Sequence, residues 1–393
     1  MADTLKVALA GLGTVGGGVI RLLEENRALI TRRAGRPIEV VAVSARDRSK
    51  DRGIDLSRFA WVDDTTQLAA SDADVVVELV GGADGPALAL ARATLAAGKG
   101  FVTANKAMLA HHGLELGAAA EKAGVALKFE AAVAGGIPVI KGLREGAAAN
   151  AIGRVTGILN GTCNFILSRM EAEGRDFADV LAEAQALGFA EADPSFDIEG
   201  HDTAQKLAIL ASLTFGTRVD PEAIYVEGIT SITTADLEAA DQLGYRIKLL
   251  GVAVKTDKGI EQRVHPTFVP KDSAIAQVMG VTNAVTIDAD GIAPITLVGP
   301  GAGGMATASA VVADIADIAR GVRAAPFGRP QAKLAATKKA PMQRHEGGYY
   351  VRLSVVDRPG AAAGIATAVL VSGMAVSAPF WSTRMDRHGQ RPV

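Results

Sequence analysis

The chain has 393 residues, 49% hydrophobic and 21% charged, which is apolar content enough for a large core and length enough for two or three domains. Its 41 basic and 43 acidic residues leave a formal charge of −2, so the charge balance gives no reason to expect nucleic acid or a membrane surface as a partner. No apolar run approaches the roughly 20 residues that span a bilayer, no signal-peptide pattern opens the chain, and the single cysteine, Cys163, excludes an intrachain disulfide or a multi-cysteine zinc site, so a cytoplasmic protein is expected.

Leu5 to Ala10 reads as a short apolar strand. Gly11-Leu12-Gly13-Thr14-Val15-Gly16 follows at once, and Val19, Ile20, Leu22 and Leu23 then recur at helical spacing. In this strand, turn, helix order the three glycines fit a dinucleotide fingerprint. The first allows the tight turn, the second lets backbone approach a pyrophosphate, and the third permits helix-to-strand contact. The helix N-terminal amides then meet the phosphate. A second strand, 39 to 43, runs into Ser44-Ala45-Arg46-Asp47. No acid stands at its tip to accept a ribose hydroxyl, and Arg46 is placed for a 2′-phosphate; this favours NADP, with NAD left open through Asp47.

Further strands at 74 to 79, 100 to 103 and 125 to 129 alternate with alanine-rich helical stretches. That alternation predicts an α/β class with a doubly wound parallel, Rossmann-type sheet over residues 1–135. Thr103-Ala104-Asn105-Lys106 leaves the fourth strand at its carboxyl end, where such sheets form their ligand crevice, so Lys106 is expected to face the site. Glu130 and the carbonyls of the Ala-Ala-Val-Ala-Gly-Gly-Ile run after it offer hard oxygen ligands to a monovalent or divalent cation.

Beyond about residue 135 the pattern changes. Strands at 154 to 159, 225 to 232 and 248 to 254 are separated by unequal helical runs, and 261 to 268 alternates like an antiparallel strand, so residues 136–324 are expected to form a second α+β domain. Cys163, in Asn160-Gly161-Thr162-Cys163-Asn164, reads as a packing residue rather than an acylating nucleophile, because no histidine lies near it in sequence. Residues 188 to 211 set five acids ahead of Lys206 in what is otherwise a packed helix. A buried ammonium needs a partner. Asp202, four residues earlier, shares its helical face and supplies one. Reduction of an aldehyde leaves an alkoxide that must be protonated, and Lys206 suits that task with Asp202 holding it in place. Glu191, ahead of Pro194, is placed to read a substrate ammonium or a ribose, whereas Asp193, Asp197 and Glu199 read as turn chemistry.

A helix over 307 to 320 follows Gly299-Pro300-Gly301-Ala302-Gly303-Gly304 and is expected to pack back on the first domain. Residues 325–347 are polar, with Pro, Gly and several basic residues, and read as a linker. Residues 348–393 begin like a small βαβ unit and stop early.

From about residue 5 to about residue 346 these segments resemble homoserine dehydrogenases. The opening glycine motif carries the resemblance together with Thr-Ala-Asn-Lys at 103 to 106, Ile-Leu-Asn-Gly-Thr-Cys-Asn-Phe-Ile-Leu at 158 to 167, the 188 to 211 block, and Val264-His265-Pro266-Thr267-Phe268-Val269-Pro270. It implies NAD(P)-dependent interconversion of L-aspartate 4-semialdehyde and L-homoserine, a step toward threonine and methionine. By matching positions it implies Lys206 as proton donor, Asp202 and Lys106 on the substrate hydroxyl or carbonyl, and Glu191 on the amino group. Cofactor contacts are implied at Gly11, Gly13, Thr14, Val15, Gly16, Arg46, Thr103, Lys106, Gly188, Glu191 and Gly303. A structural, sodium-type cation falls on Glu130 and the backbone oxygens of Val133, Gly135 and Ile137, and a homodimer or homotetramer through the second domain is implied. The final segment resembles the first half of an ACT regulatory domain and departs from that pattern after Val376. Two rivals make contrasting demands: an acylating aspartate-semialdehyde dehydrogenase needs Cys163 as nucleophile, and a nucleotide-sensing regulator needs no Lys206.

Overall fold

A computed structural model describes residues 3–338, 348–353, 360 and 363–367. The first sheet is built from β1 (Leu5–Ala10), β2 (Ile38–Ser44), β3 (Ala60–Trp61), β4 (Val75–Glu78), β5 (Gly100–Thr103) and β6 (Leu127–Lys128), with glycine turns closing β1 and β4. All pairings are parallel, in the order β3-β2-β1-β4-β5-β6. Helices α1 (Thr14–Glu25), α2 (Arg27–Ala34), α3 (Pro86–Ala96) and α4 (Lys106–Ala123) connect its strands. β4 and β5 are buried along their whole length, as strands covered on both faces must be. Strand order reverses between β1 and β4, so the loops after β1, β4 and β5 open on one crevice.

The chain then passes through α5 (Ala131–Ala134) and α6 (Val139–Lys141) into a second sheet. Its strands are β7 (Ile152–Ile158), β8 (Tyr225–Val226), β9 (Tyr245–Thr256), β10 (Gly259–Pro270), β11 (Thr282–Ala289) and β12 (Ile292–Pro300). The order is β12-β11-β7-β9-β10-β8, antiparallel except where β8 joins β10. Its helices are α7 (Gly161–Glu173), α8 (Phe177–Ala186), α9 (Ser195–Ile198), α10 (His201–Phe215) and α11 (Thr234–Gln242). Leu207, Ala208, Leu210 and Ala211 bury α10, which packs against β7, β9 and β10 of its own sheet and also against α4 of the first. That double contact brings the two halves of the site together.

Several elements differ from the sequence expectation. The strand expected over 225 to 232 ends at Val226, because the chain turns to close over α9: Ile229 N donates to the Ile198 carbonyl, and a Cβ on Gly228 would stand 2.3 Å from that oxygen. The expected strand at 125 to 129 shortens to β6. β3, β11 and β12 were not anticipated; β12 carries Pro294 and Pro300, which only an edge strand tolerates, and it is the edge.

α12 (Gly304–Ala319) does return to the first sheet and lies against α1. Glycines set that distance, since a Cβ on Gly18 would stand 3.0 Å from the Ala308 Cβ and one on Gly304 3.0 Å from the Thr14 carbonyl oxygen. The segment read as a linker is packed over its described part. Phe327 is fully buried with its ring 5.2 Å from Phe129, and Ala335 forms a parallel bridge with Thr217. Residues 339–347 and most of the ACT-like segment lie outside the described residues. Within 348–353, Tyr350 stacks on Phe268 at 4.8 Å and Arg352 donates to Asp236 at 2.6 Å. No helix among the described residues is long and apolar enough to cross a membrane.

Candidate active site

The cofactor end of the crevice follows from three glycines. Gly11 has φ +98°, and a Cβ there would stand 2.6 Å from the Leu79 carbonyl oxygen. On Gly16 a Cβ would meet the Gly11 carbonyl oxygen at 2.1 Å, so the third glycine clears its own loop rather than a neighbouring strand. Gly13 faces open space, which is the room a pyrophosphate needs over the start of α1. Gly303 caps α12 beside Gly304 and so stands next to Thr14.

Beyond the tip of β2, Arg46 is exposed, while the Asp47 carboxylate is occupied by the backbone and hydroxyl of Ser49. Arg52, which the motif reading passed over, crosses to the glycine loop and donates from Nε to the Leu12 carbonyl at 3.0 Å.

A buried network sets the loops after β4 and β5. The Glu78 carboxylate accepts from Val80 N and Gly81 N at 2.7 and 2.8 Å and from the Thr103 hydroxyl at 2.6 Å. The same hydroxyl accepts from Asn105 N, and the Asn105 side chain accepts from Met108 N to cap α4. Thr103 therefore spends its hydroxyl on holding the strand end. Lys106 is the first residue of the capped helix.

Lys106 and Lys206 converge on one carboxylate from different halves of the molecule. Lys206 Nζ lies 2.7 Å from Asp202 Oδ2, one helical turn away on α10, and donates to the Leu159 carbonyl at 2.7 Å. Lys106 Nζ lies 3.0 Å from Asp202 Oδ1. Burial alone would raise the Asp202 pKa, but the two ammoniums outweigh it and hold the carboxyl at about 2. The Lys206 side chain is 12% exposed and that of Lys106 32%, so both reach the crevice from largely enclosed positions.

Two neighbours were not singled out from the sequence. Asn160 caps α7 by accepting from Cys163 N at 2.8 Å, and its Nδ2 donates to Asp197 Oδ1 at 2.8 Å and Asp202 Oδ2 at 2.9 Å. Asp197, read as turn chemistry, thus belongs to the cluster. Burial and then the Asp202 charge push its pKa up. An Asn before Gly-Thr is a residue type that caps helices, but only the fold brings α9 and α10 to Asn160.

Glu191 and Gly188 follow α8, and Phe189 in the same loop packs at the start of α7, where the Thr162 hydroxyl donates to its carbonyl at 2.6 Å. The Glu191 side chain is exposed and stands outside the Lys206–Asp202–Lys106 cluster. Cys163 is buried, its thiol donating to the Asp197 carbonyl at 3.2 Å, and burial pushes its pKa well up. Such a thiol does not make a nucleophile.

Glu130 sits where the chain crosses between sheets. Its carboxylate accepts from Ile140 N at 2.8 Å and Lys141 N at 3.0 Å, and burial followed by the Asp314 charge pushes it up to about 7. The Ile137 carbonyl accepts from Val139 N. Among the described residues no three His, Cys, Asp or Glu side chains gather to hold a metal, so a cation here would rest mainly on carbonyl oxygens.

Two family models match the chain. Residues 11–130 match the NAD-binding domain of homoserine dehydrogenase, and residues 138–316 match homoserine dehydrogenase itself. The homoserine dehydrogenase of Pseudomonas aeruginosa is 47% identical over 99% of this chain and 91% of its own length. The chain belongs to the homoserine dehydrogenase family. The crystal structure of a homoserine dehydrogenase from Thiobacillus denitrificans superposes with a TM-score of 0.88 at 44% identity, covering 96% of this chain and 88% of that one. A hyperthermophilic archaeal homoserine dehydrogenase in complex with NADPH superposes at 0.70 and 26% identity, covering 82% and 99%. Family membership makes this an NAD(P)-dependent oxidoreductase acting on the CH–OH group of homoserine, interconverting it with L-aspartate 4-semialdehyde.

Proposed function

We propose that Lys206 is the proton donor and acceptor of this reaction, with Asp202 and Lys106 placing the reacting oxygen. The Lys206 ammonium supports this reading. Two of its three N–H groups are taken by Asp202 and the Leu159 carbonyl, which leaves one for a substrate oxygen at the crevice. Lys206 protonates the oxygen of the aldehyde as it is reduced and takes the proton back in homoserine oxidation. Lys106 brings a second positive charge to the same oxygen, and Asp202 keeps both ammoniums in place. Glu191 reads the substrate amino group from the loop after α8.

The nicotinamide cofactor supplies or accepts the hydride. Gly11, Gly13, Thr14, Val15 and Gly16 cradle it, with Gly188, Glu191, Thr103, Lys106 and Gly303 around the crevice. NADP is the favoured form, since the Asp47 carboxylate is committed to Ser49 while Arg46 stands free at the strand end. A sodium-type structural cation is held by Glu130 with the carbonyls of Val133, Gly135 and Ile137, a reading supported by the burial of the Glu130 carboxylate beside a second one, Asp314, with the Lys141 ammonium near both. Sodium-free dialysis then lowers the thermal midpoint without removing NADPH binding; an unchanged midpoint counts against the cation. The enzyme works as a cytoplasmic homo-oligomer through the second domain. Its edge strand β12 exposes Ile292, Ile295 and Val298, an apolar edge that calls for cover.

Following NADPH and NADH oxidation with aspartate semialdehyde, with and without threonine, tests cofactor choice and any response of the tail. Lys206→Ala is expected to lower turnover by roughly 10² to 10⁴ with NADPH affinity little altered. Undiminished turnover overturns the proposed role.

A further inference from the structure

β7 ends at Ile158, and the next two residues both address the proton-transfer pair. The Leu159 carbonyl takes Lys206 Nζ, and Asn160, in extended backbone at φ −126°, turns its side chain onto the carboxylates. Its Oδ1 is engaged by Cys163 N, an unambiguous donor, so the amide cannot be flipped and its NH₂ faces the acids. Both protons of that NH₂ are used, one on Asp197 Oδ1 and one on Asp202 Oδ2. Asp202 Oδ2 therefore accepts from Lys206 and Asn160 together, and Oδ1 is left to Lys106.

We propose that Asn160 is a positioning residue for proton transfer, its amide bridging Asp197 and Asp202 and fixing the carboxylate plane that assigns one oxygen to Lys206 and the other to Lys106. This rests on the reading of Lys206 as proton donor. Without the bridge, Asp202 turns about its terminal torsion, which is broad for a carboxylate, and Lys206 follows it away from the Leu159 carbonyl. Two neighbouring carboxylates that lose a shared donor also tend to hold one proton between them. The groups facing the Asp197–Asp202 pair are Lys206 on α10, Lys106 on α4, Cys163 on α7 and Glu199 just beyond α9. Uptake of a proton there weakens the hold on both lysines, so the loss appears on the acid limb of the pH profile.

Two substitutions separate this role from the helix cap. Asn160→Ser keeps a capping oxygen but cannot reach the acids, and Asn160→Asp keeps cap and shape but replaces the donor with an acceptor. Measured beside Lys206→Ala, both are expected to stay folded with a lowered thermal midpoint, since two buried acceptors lose a donor, and to keep the KM for NADP. The serine variant should lose roughly 10- to 100-fold in kcat, the scale of a hydrogen bond to a charged group. Its acid limb of kcat/KM should move to higher pH, and that of the aspartate variant further still. The inference is overturned if Asn160→Ser retains parental kcat and acid limb while Lys206→Ala is inactive, or if its kcat falls with the acid limb unmoved. Retained turnover in Lys206→Ala would instead overturn the underlying reading of the lysine.

Discussion

At the residue scale, burial decides what each polar group can do. Cys163 and Lys206 both approach the Asp197–Asp202 pair, yet with opposite consequences. The thiol is enclosed and its ionised form disfavoured by both the apolar surroundings and the nearby carboxylates, so it packs. The ammonium is welcomed by the same carboxylates and reaches the crevice. Cys163→Ser is expected to leave homoserine oxidation within a few-fold of the parent, as a steady-state assay with NADP will show. Loss of essentially all hydride transfer would revive the acylating alternative. Lys206 with Asp202 was legible because an acid and a lysine four residues apart share one face of an apolar helix, where each needs the other's charge. Asp197 was not, since an acid near a proline has an ordinary use in turns, and its membership of the site comes from Asn160, 37 residues away in the chain.

Among the elements, glycines set the close approaches. The third glycine of a dinucleotide fingerprint ordinarily lets helix meet strand, whereas Gly16 avoids the carbonyl of Gly11 inside the same turn. Gly16→Ala therefore displaces the loop that carries the cofactor site. The expected cost is roughly 1–3 kcal/mol in stability, as for other overpacked sites, with weakened NADPH binding by fluorescence titration. An unchanged affinity would mean that the turn yields more easily than its geometry suggests. β1, β4 and β5 were easy to read, because burial on both faces makes them continuous apolar runs. β12 was not, because its prolines resemble loop residues until the strand is known to lie at an edge.

Across the whole molecule, the chain crosses between its sheets at two adjoining places, with Gly136 N donating to the Pro300 carbonyl at 3.0 Å. It then returns along the first half through α12 and the segment around Phe327. That segment is a fastening rather than a spacer, as the buried ring against Phe129 and Gly113 shows. Phe327→Ala is expected to cost about 3–5 kcal/mol, the range for emptying a buried aromatic site. Urea unfolding should show a lower midpoint at unchanged slope; a shift under 1 kcal/mol, about the scale of an ordinary surface change, would return the segment to the status of linker.

By itself the sequence determined the fold class of the first half, the cofactor turn and the Lys206–Asp202 pair, because each depends on residues within a few positions of one another and on strong local periodicity. The tertiary structure alone decided that Lys106 meets the far side of Asp202, that Asn160 bridges two acids, and that the polar stretch around Phe327 is packed. Those contacts join residues tens to hundreds of positions apart, and no local pattern records which distant side chain will fill a given hydrogen bond.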